Sequence, residues 1–192
     1  MFVIGLTGSL ATGKSTVAAF FRKRGAKVLS ADSLAHQVIG PKGECFDAVI
    51  KHFGKGILHR GKIDRRRLGK IVFNDERELK KLERIIHPAV NRRIQKELNG
   101  YQRTNKKIVL EVPLLFEAGW EKMADITVVV ATTKATQLKR AIRLGMSQAE
   151  AAARIKAQMP LRKKIRRADF IIDNNGTKKQ TEKQVNALCQ KQ

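Results

Sequence analysis

Eight residues near the start of the chain, Gly8-Ser9-Leu10-Ala11-Thr12-Gly13-Lys14-Ser15, follow the pattern G-x-x-x-x-G-K-S. Chemistry on phosphates needs this arrangement. Glycines let successive backbone N–H groups turn inward on phosphate oxygens, and the helix that follows adds the positive end of its dipole. Lys14 then reaches the β/γ-phosphates and the Ser15 hydroxyl reaches Mg²⁺. The chemistry indicated is that of a nucleoside-triphosphate enzyme. A second chemical group is Asp32, just past the apolar run Lys27-Val28-Leu29-Ser30. Ligands of open parallel sheets bind beyond the carboxyl ends of the strands, which puts Asp32 near the mouth of the loop. It could accept the proton of an attacking hydroxyl, or cap a helix starting at Ser33-Leu34-Ala35. The pattern alone leaves these two readings level.

The elements that must position these groups follow from apolar spacing. Residues 2–6 read as a buried strand ahead of the loop. Val17, Phe20 and Phe21 then recur at helical spacing up to Gly25. Further strands are expected at 27–30, 107–112, 125–130 and 170–173, and their continuous Val/Ile/Leu runs suit a parallel sheet covered on both faces. From about 43 to 100 the spacing is helical and basic, with no strand required. Gly56 to Lys62 reads as a turn-rich connection, and Pro88 either kinks a long helix or separates two. Thr133 begins another helix. Ser147 with Glu150 forms a capping-box pattern for the next, the basic segment 160–167 follows, and a closing helix runs from about Gln180. A P-loop after the first strand of such an alternation predicts a doubly wound α/β fold.

Of the 192 residues, 42% are hydrophobic, enough for the core of one α/β domain with an inserted subdomain. No apolar run reaches membrane-span length, and no basic n-region precedes the opening strand, so cytoplasm is the expected location. Cys45 and Cys189 match no metal or disulfide spacing and read as reduced thiols. Forty Lys+Arg against 17 Asp+Glu give a net charge of +23, a field that attracts polyanions. With 5% aromatic residues there is little for bases to stack on. Nonspecific polyanion binding is expected and a specific nucleic-acid partner is not. The charge and spacing give no oligomeric state.

Three features favour a small-molecule kinase over other P-loop enzymes: the short chain, the late basic helical hairpin around 140–167, and Asp32. No N-K-x-D base-reading motif is present. Glu111 is the nearest thing to a second metal-binding carboxylate after a strand. Another nucleoside or nucleotide kinase, and a basic nucleic-acid-binding protein with a P-loop, are the alternatives.

Over nearly its whole length the chain resembles dephospho-CoA kinases. The resemblance is carried by Gly5-Leu6-Thr7-Gly8 through Lys14-Ser15-Thr16, Ala31-Asp32, Asp64-Arg65 with Leu68-Gly69 and Val72-Phe73, and Leu82 to His87-Pro88. It continues through Val112-Pro113-Leu114-Leu115-Phe116-Glu117, Gln137-Leu138-Lys139-Arg140, Gln158, and Ala168-Asp169 to Asp173-Asn174-Asn175-Gly176. It implies ATP-dependent phosphorylation of the ribose 3′-hydroxyl of dephospho-CoA, with Mg²⁺. It also implies a P-loop kinase-like core at 1–32, 107–139 and 168–192, a helical acceptor-binding region at 33–106 and a lid at 140–167. Asp32 is then the catalytic base, and Lys14 and Arg140 stabilise the transferring phosphoryl. Gly8 and the segment Ala11, Thr12, Gly13, Lys14, Ser15, Thr16 hold ATP phosphates, with Asn174 or Asn175 near the adenine. His87, Phe116 and Glu117 border the acceptor. The chain departs from the family's usual pattern at Ser30, where a second Asp is common. It departs again at Ala11, where Gly is common, and at Arg143, one residue closer to Arg140 than usual.

Overall fold

The computed structural model describes residues 1–190. In chain order its elements are β1 (Phe2–Thr7), α1 (Lys14–Lys23), β2 (Lys27–Ser30), α2 (Ala31–Val38), α3 (Phe46–Phe53), β3 (Leu58–His59), β4 (Lys62–Ile63), α4 (Arg65–Val72) and α5 (Glu76–Asn99). They continue with β5 (Lys107–Glu111), β6 (Ile126–Ala131), α6 (Lys134–Arg143), α7 (Gln148–Lys156), α8 (Leu161–Arg167), β7 (Phe170–Asp173) and α9 (Lys178–Gln190). The chain forms two compact units, one from residues 1–30 with 101–190 and the other from residues 31–100.

In the first unit five strands make one parallel sheet in the order β2-β5-β1-β6-β7. The strand carrying the P-loop is therefore central, which suits its almost unbroken burial. Alternation along the strands sorts the core by face. Ile4, Leu6, Val109, Val128, Val130 and Ile172 gather with Val17, Phe21, Val185 and Leu188 of α1 and α9. On the other face a Cβ placed on Gly5 would meet the side chains of Leu115 and Ala124 at 3.0 and 3.1 Å. That glycine lets the Leu115 segment lie flat on the sheet. Asp125 and Asp169 act as brackets below the strands: Val3 N–H donates to Asp125 and Thr127 N–H to Asp169. The two hydrogen bonds to Thr127 hold the Asp169 carboxyl below its ordinary value.

The second unit is mostly helical, with one correction to the sequence reading. A strand pair is present after all: β3 and β4 are antiparallel, Leu58 facing Ile63 and His59 facing Lys62. Arg60 and Gly61 both have positive φ, 48° and 72°, the turn that matches hairpin twist. Of the two readings of Pro88, separation into two helices is excluded, since α5 runs unbroken across it. The helix is started by Asp75, whose carboxylate accepts from the N–H groups of Arg77 and Glu78. It buries Ala89, Val90, Ile94 and Leu98, and that burial offsets the roughly 3 kcal/mol an interior proline costs. Asp64 caps α4 in the same way, and its carboxyl is held low by the backbone bonds from Arg67 and Arg66.

Candidate active site

The phosphate loop joins β1 to α1, and its shape depends on backbone that only glycine takes easily. Gly8 has φ 151°, and a Cβ there would stand 2.6 Å from the Val130 carbonyl oxygen and 2.7 Å from Thr12 Oγ1. Gly13 has φ 93°, and a Cβ there would lie 2.1 Å from Asn174 Nδ2. Ala11 adopts φ 55° without being glycine, which costs an L-residue on the order of 1 kcal/mol. Ala11→Gly is therefore expected to raise stability by no more than about 0.5 kcal/mol, after the larger chain entropy of glycine is subtracted. A small upward shift in Tm by calorimetry checks this. A fall would mean that the alanine methyl makes a contact worth more than the strain.

Side chains from distant elements hold the loop. Asn174, buried at the end of β7, donates from Nδ2 to the Thr12 carbonyl at 2.7 Å and accepts from Thr181 Oγ1 at 2.9 Å. Arg140 on α6 donates to the carbonyls of Thr12 and Asn174 at 3.3 and 2.8 Å. Gln137, one turn earlier and almost fully buried, donates to the Leu10 carbonyl. Gln158, just beyond α7, accepts from Ser9 Oγ and Leu10 N–H, both at 3.0 Å. Asn175 accepts from Thr132 Oγ1 and Thr133 N–H, fixing the turn that starts α6. Lys14 lies against the loop itself, its ammonium 3.1 Å from the Gly8 carbonyl and 2.9 Å from that of Ser9. Ser15 Oγ donates to Glu111 Oε1 at 3.1 Å. Thr16 N–H donates to the Gly13 carbonyl and starts α1.

The expected residues thus divide. Gly8, Ala11, Thr12, Gly13, Lys14, Ser15, Thr16, Arg140 and Asn174 come together around one loop, whereas Asn175 anchors the neighbouring β6–α6 turn. Arg143 is exposed. Phe116 is buried, with the Arg167 guanidinium 4.6 Å from its ring centre. Glu117 forms an ion pair with Lys164 at 2.8 Å and accepts from Met159 N–H. Lys164, one of the charges of the basic segment, has no exposed surface and also donates to the Pro113 carbonyl. Burial pulls its ammonium below the usual lysine value, and Glu117 pulls it back. This pair, buried on the lysine side only, ties α8 to the segment after β5.

In the second unit Asp32 is the second residue of α2, inside the first turn. The N-cap reading is overturned, because the helix begins at Ala31 and a cap must precede it. Asp32 is exposed, and among the described residues its carboxylate takes part in no hydrogen bond or ion pair. A carboxylate so placed is stabilised by the helix dipole and open to a ligand. His87 lines a groove of about 400 Å³ along α5 with Lys80, Glu83, Arg84 and Pro88. Burial lowers its pKa, so the ring is neutral at pH 7. Three roles had no counterpart in the sequence reading: the hold of Gln137 on the loop, though the residue belongs to a motif of the resemblance, the burial of Lys164, and the Ser15–Glu111 contact, for which Glu111 carried a signal as an acid ending a strand.

Among the described residues no cluster of three or more metal-ligating side chains occurs, both cysteines are free, and no helix is long and apolar enough to cross a membrane.

Comparison with known proteins bears on the chemistry. The dephospho-CoA kinase family profile matches residues 2–180. A dephospho-CoA kinase of Symbiobacterium thermophilum is 46% identical over 190 residues, covering 97% of this chain and 80% of that protein. One from Geobacillus kaustophilus is 45% identical over 188 residues, covering 96% and 94%. The solved dephospho-CoA kinase of Campylobacter jejuni superposes with a TM-score of 0.71 at 32% identity, covering 98% of this chain and 96% of that one. The nucleic-acid-binding alternative and the general nucleoside-kinase alternative give way to this match. With its P-loop at the carboxyl end of a central strand, the chain belongs to the dephospho-CoA kinase family.

Proposed function

We propose that the protein transfers the γ-phosphoryl group of ATP to the ribose 3′-hydroxyl of dephospho-CoA, giving coenzyme A and ADP, the last step of coenzyme A biosynthesis. The observation that carries this reading is the complete phosphate loop in a chain of this family. The loop's N–H groups and Lys14 hold the donor phosphates, and Arg140, already fixed at the loop's end, adds positive charge where negative charge builds up. Asp32 takes the proton of the 3′-hydroxyl. The new bond runs from that oxygen to the γ-phosphorus, and the bond to the β–γ bridging oxygen breaks. Residues 33–106 supply the acceptor-binding region, with His87 in its groove, and residues 140–167 act as the lid. Phe116 and Glu117 shape the acceptor side through the helix they pin.

Mg²⁺ fits the Ser15 hydroxyl and the Glu111 carboxylate, hard oxygen donors 3.1 Å apart, because this ion takes few protein ligands and completes its shell with water and phosphate. When bound it neutralises charge on the phosphates.

The test is an acceptor panel. With Mg-ATP, ADP release is expected to accelerate strongly on adding dephospho-CoA and to change little with nucleosides or nucleoside monophosphates. The reading fails if dephospho-CoA produces no acceleration, or if a nucleoside is the better acceptor.

A further inference from the structure

Asp32 and His36 stand four residues apart on α2, on the same helical face and about 6 Å along the axis. Arg65, the first residue of α4, turns one guanidinium nitrogen onto His36, 2.8 Å from Nε2 and 3.1 Å from Nδ1. Three side chains from two elements of the same unit thus form a row: a carboxylate, an imidazole and a guanidinium. The surroundings disfavour the charged form of the middle member. Burial lowers the His36 pKa, Arg65 lowers it further, and Asp32 alone opposes them. A neutral imidazole can accept from Arg65 and hold it in place. Neighbouring Arg67 is engaged with Asp64 and with the carbonyls of Gly56 and Leu58. Arg65 has no carboxylate partner among the described residues. Its Nε and second terminal nitrogen are left for an anion, and a guanidinium presents such donors as a fork matched to phosphate oxygens.

We propose that Arg65, positioned by His36 one helical turn from the carboxylate that receives the 3′-hydroxyl, is the seat for the 5′-diphosphate of the acceptor nucleotide. This rests on the dephospho-CoA reading above and deepens it. In dephospho-CoA the 3′-hydroxyl and the 5′-diphosphate lie on opposite sides of one ribose. An enzyme that phosphorylates only the 3′ position must fix the sugar at two points, and the row offers one point for each group. His36 is a positioning residue: it touches Arg65 rather than the substrate.

The experiment combines kinetics with calorimetry on the full chain. Arg65→Ala is expected to raise KM for dephospho-CoA by about 10–100-fold, the effect of losing a charge-assisted hydrogen-bond pair. KM for ATP should stay within about twofold, since that phosphate site lies on other residues. Arg65→Lys should recover only part of the loss, because a point charge replaces the fork. Titration with adenosine, which lacks the diphosphate, should give the same affinity for wild type and Arg65→Ala, whereas titration with dephospho-CoA should separate them. His36→Ala should raise KM for dephospho-CoA severalfold, and His36→Gln, which keeps an acceptor for Arg65, should restore much of it. Equal losses toward adenosine and dephospho-CoA, or a parallel rise in KM for ATP, would overturn the assignment as a general disturbance. Unchanged dephospho-CoA affinity in Arg65→Ala would also overturn it. A wild type that binds dephospho-CoA but does not phosphorylate it would sink the proposed reaction and leave this calorimetric result readable.

Discussion

Asp32→Asn lowers kcat by about 10²–10⁴, the usual contribution of a positioned general base, while ATP affinity and Tm stay near those of the wild type. The separation of these quantities follows from the structure. The Asp32 side chain is exposed and makes no hydrogen bond or ion pair among the described residues, so its amide replacement strands no buried partner. Asparagine gives up a helix-dipole interaction of a few tenths of a kcal/mol, well below what a melting curve of a chain this size resolves with ease. The amide cannot accept the proton of the hydroxyl, so the loss falls on the chemical step. Steady-state kinetics, nucleotide titration and calorimetry on one preparation check all three parts. Turnover within about threefold of wild type would remove Asp32 from the base role. A large fall in Tm would assign it to the architecture of α2.

Asn174→Ala acts in the opposite way, on stability and ATP affinity together. The substitution removes the bonds to the Thr12 carbonyl and Thr181 Oγ1, and leaves both partners without them inside the protein. Arg140 still donates to the Thr12 carbonyl and Thr181 to that of Thr177, so the cost is that of two lost hydrogen bonds, about 0.5–1.5 kcal/mol each, which corresponds to a fall in Tm of roughly 5 °C. It also frees the end of the phosphate loop, so KM for ATP should rise severalfold. Asn174→Asp should be at least as damaging, since it points a carboxylate oxygen at the Thr12 carbonyl. Saturating ATP should recover part of the lost Tm through binding linkage. A variant with unchanged Tm and ATP affinity would show that Arg140, bonded to the same carbonyl, holds the loop without Asn174.

The contrast between these two residues explains what the sequence could reveal. The P-loop, the strand ahead of it and the parallel sheet were legible because apolar runs of strand length were punctuated by glycine and followed by helical spacing, whereas the strand order was not. Ser147 was legible as a cap because that role is local, and it accepts from Glu150 N–H as its spacing predicts. Roles set by packing over long distances were not legible. Gln137 and Gln158 have ordinary helix-surface chemistry in the sequence, yet they grip the loop tip. Lys164 sits in a run with Arg162, Lys163, Arg166 and Arg167, and only the fold singles it out for burial. The Arg60-Gly61 hairpin was missed because its first turn residue is not the Asn or Asp that marks such turns. Asp32 was half legible: its distance from β2 was plain, but whether the helix began before or after it was not.

The dispersed grip on the phosphate loop has a consequence for the order in which the protein is made. Hydrogen bonds to residues 9–12 come from partners 127, 128, 148 and 162 positions later in the chain. The loop's own strand is flanked on both sides by strands that begin after residue 100. A nascent chain that has cleared the ribosome only as far as α5 therefore contains every residue of the motif and none of these clamps. The loop's grip is therefore complete only near the end of synthesis, after its motif has long since emerged.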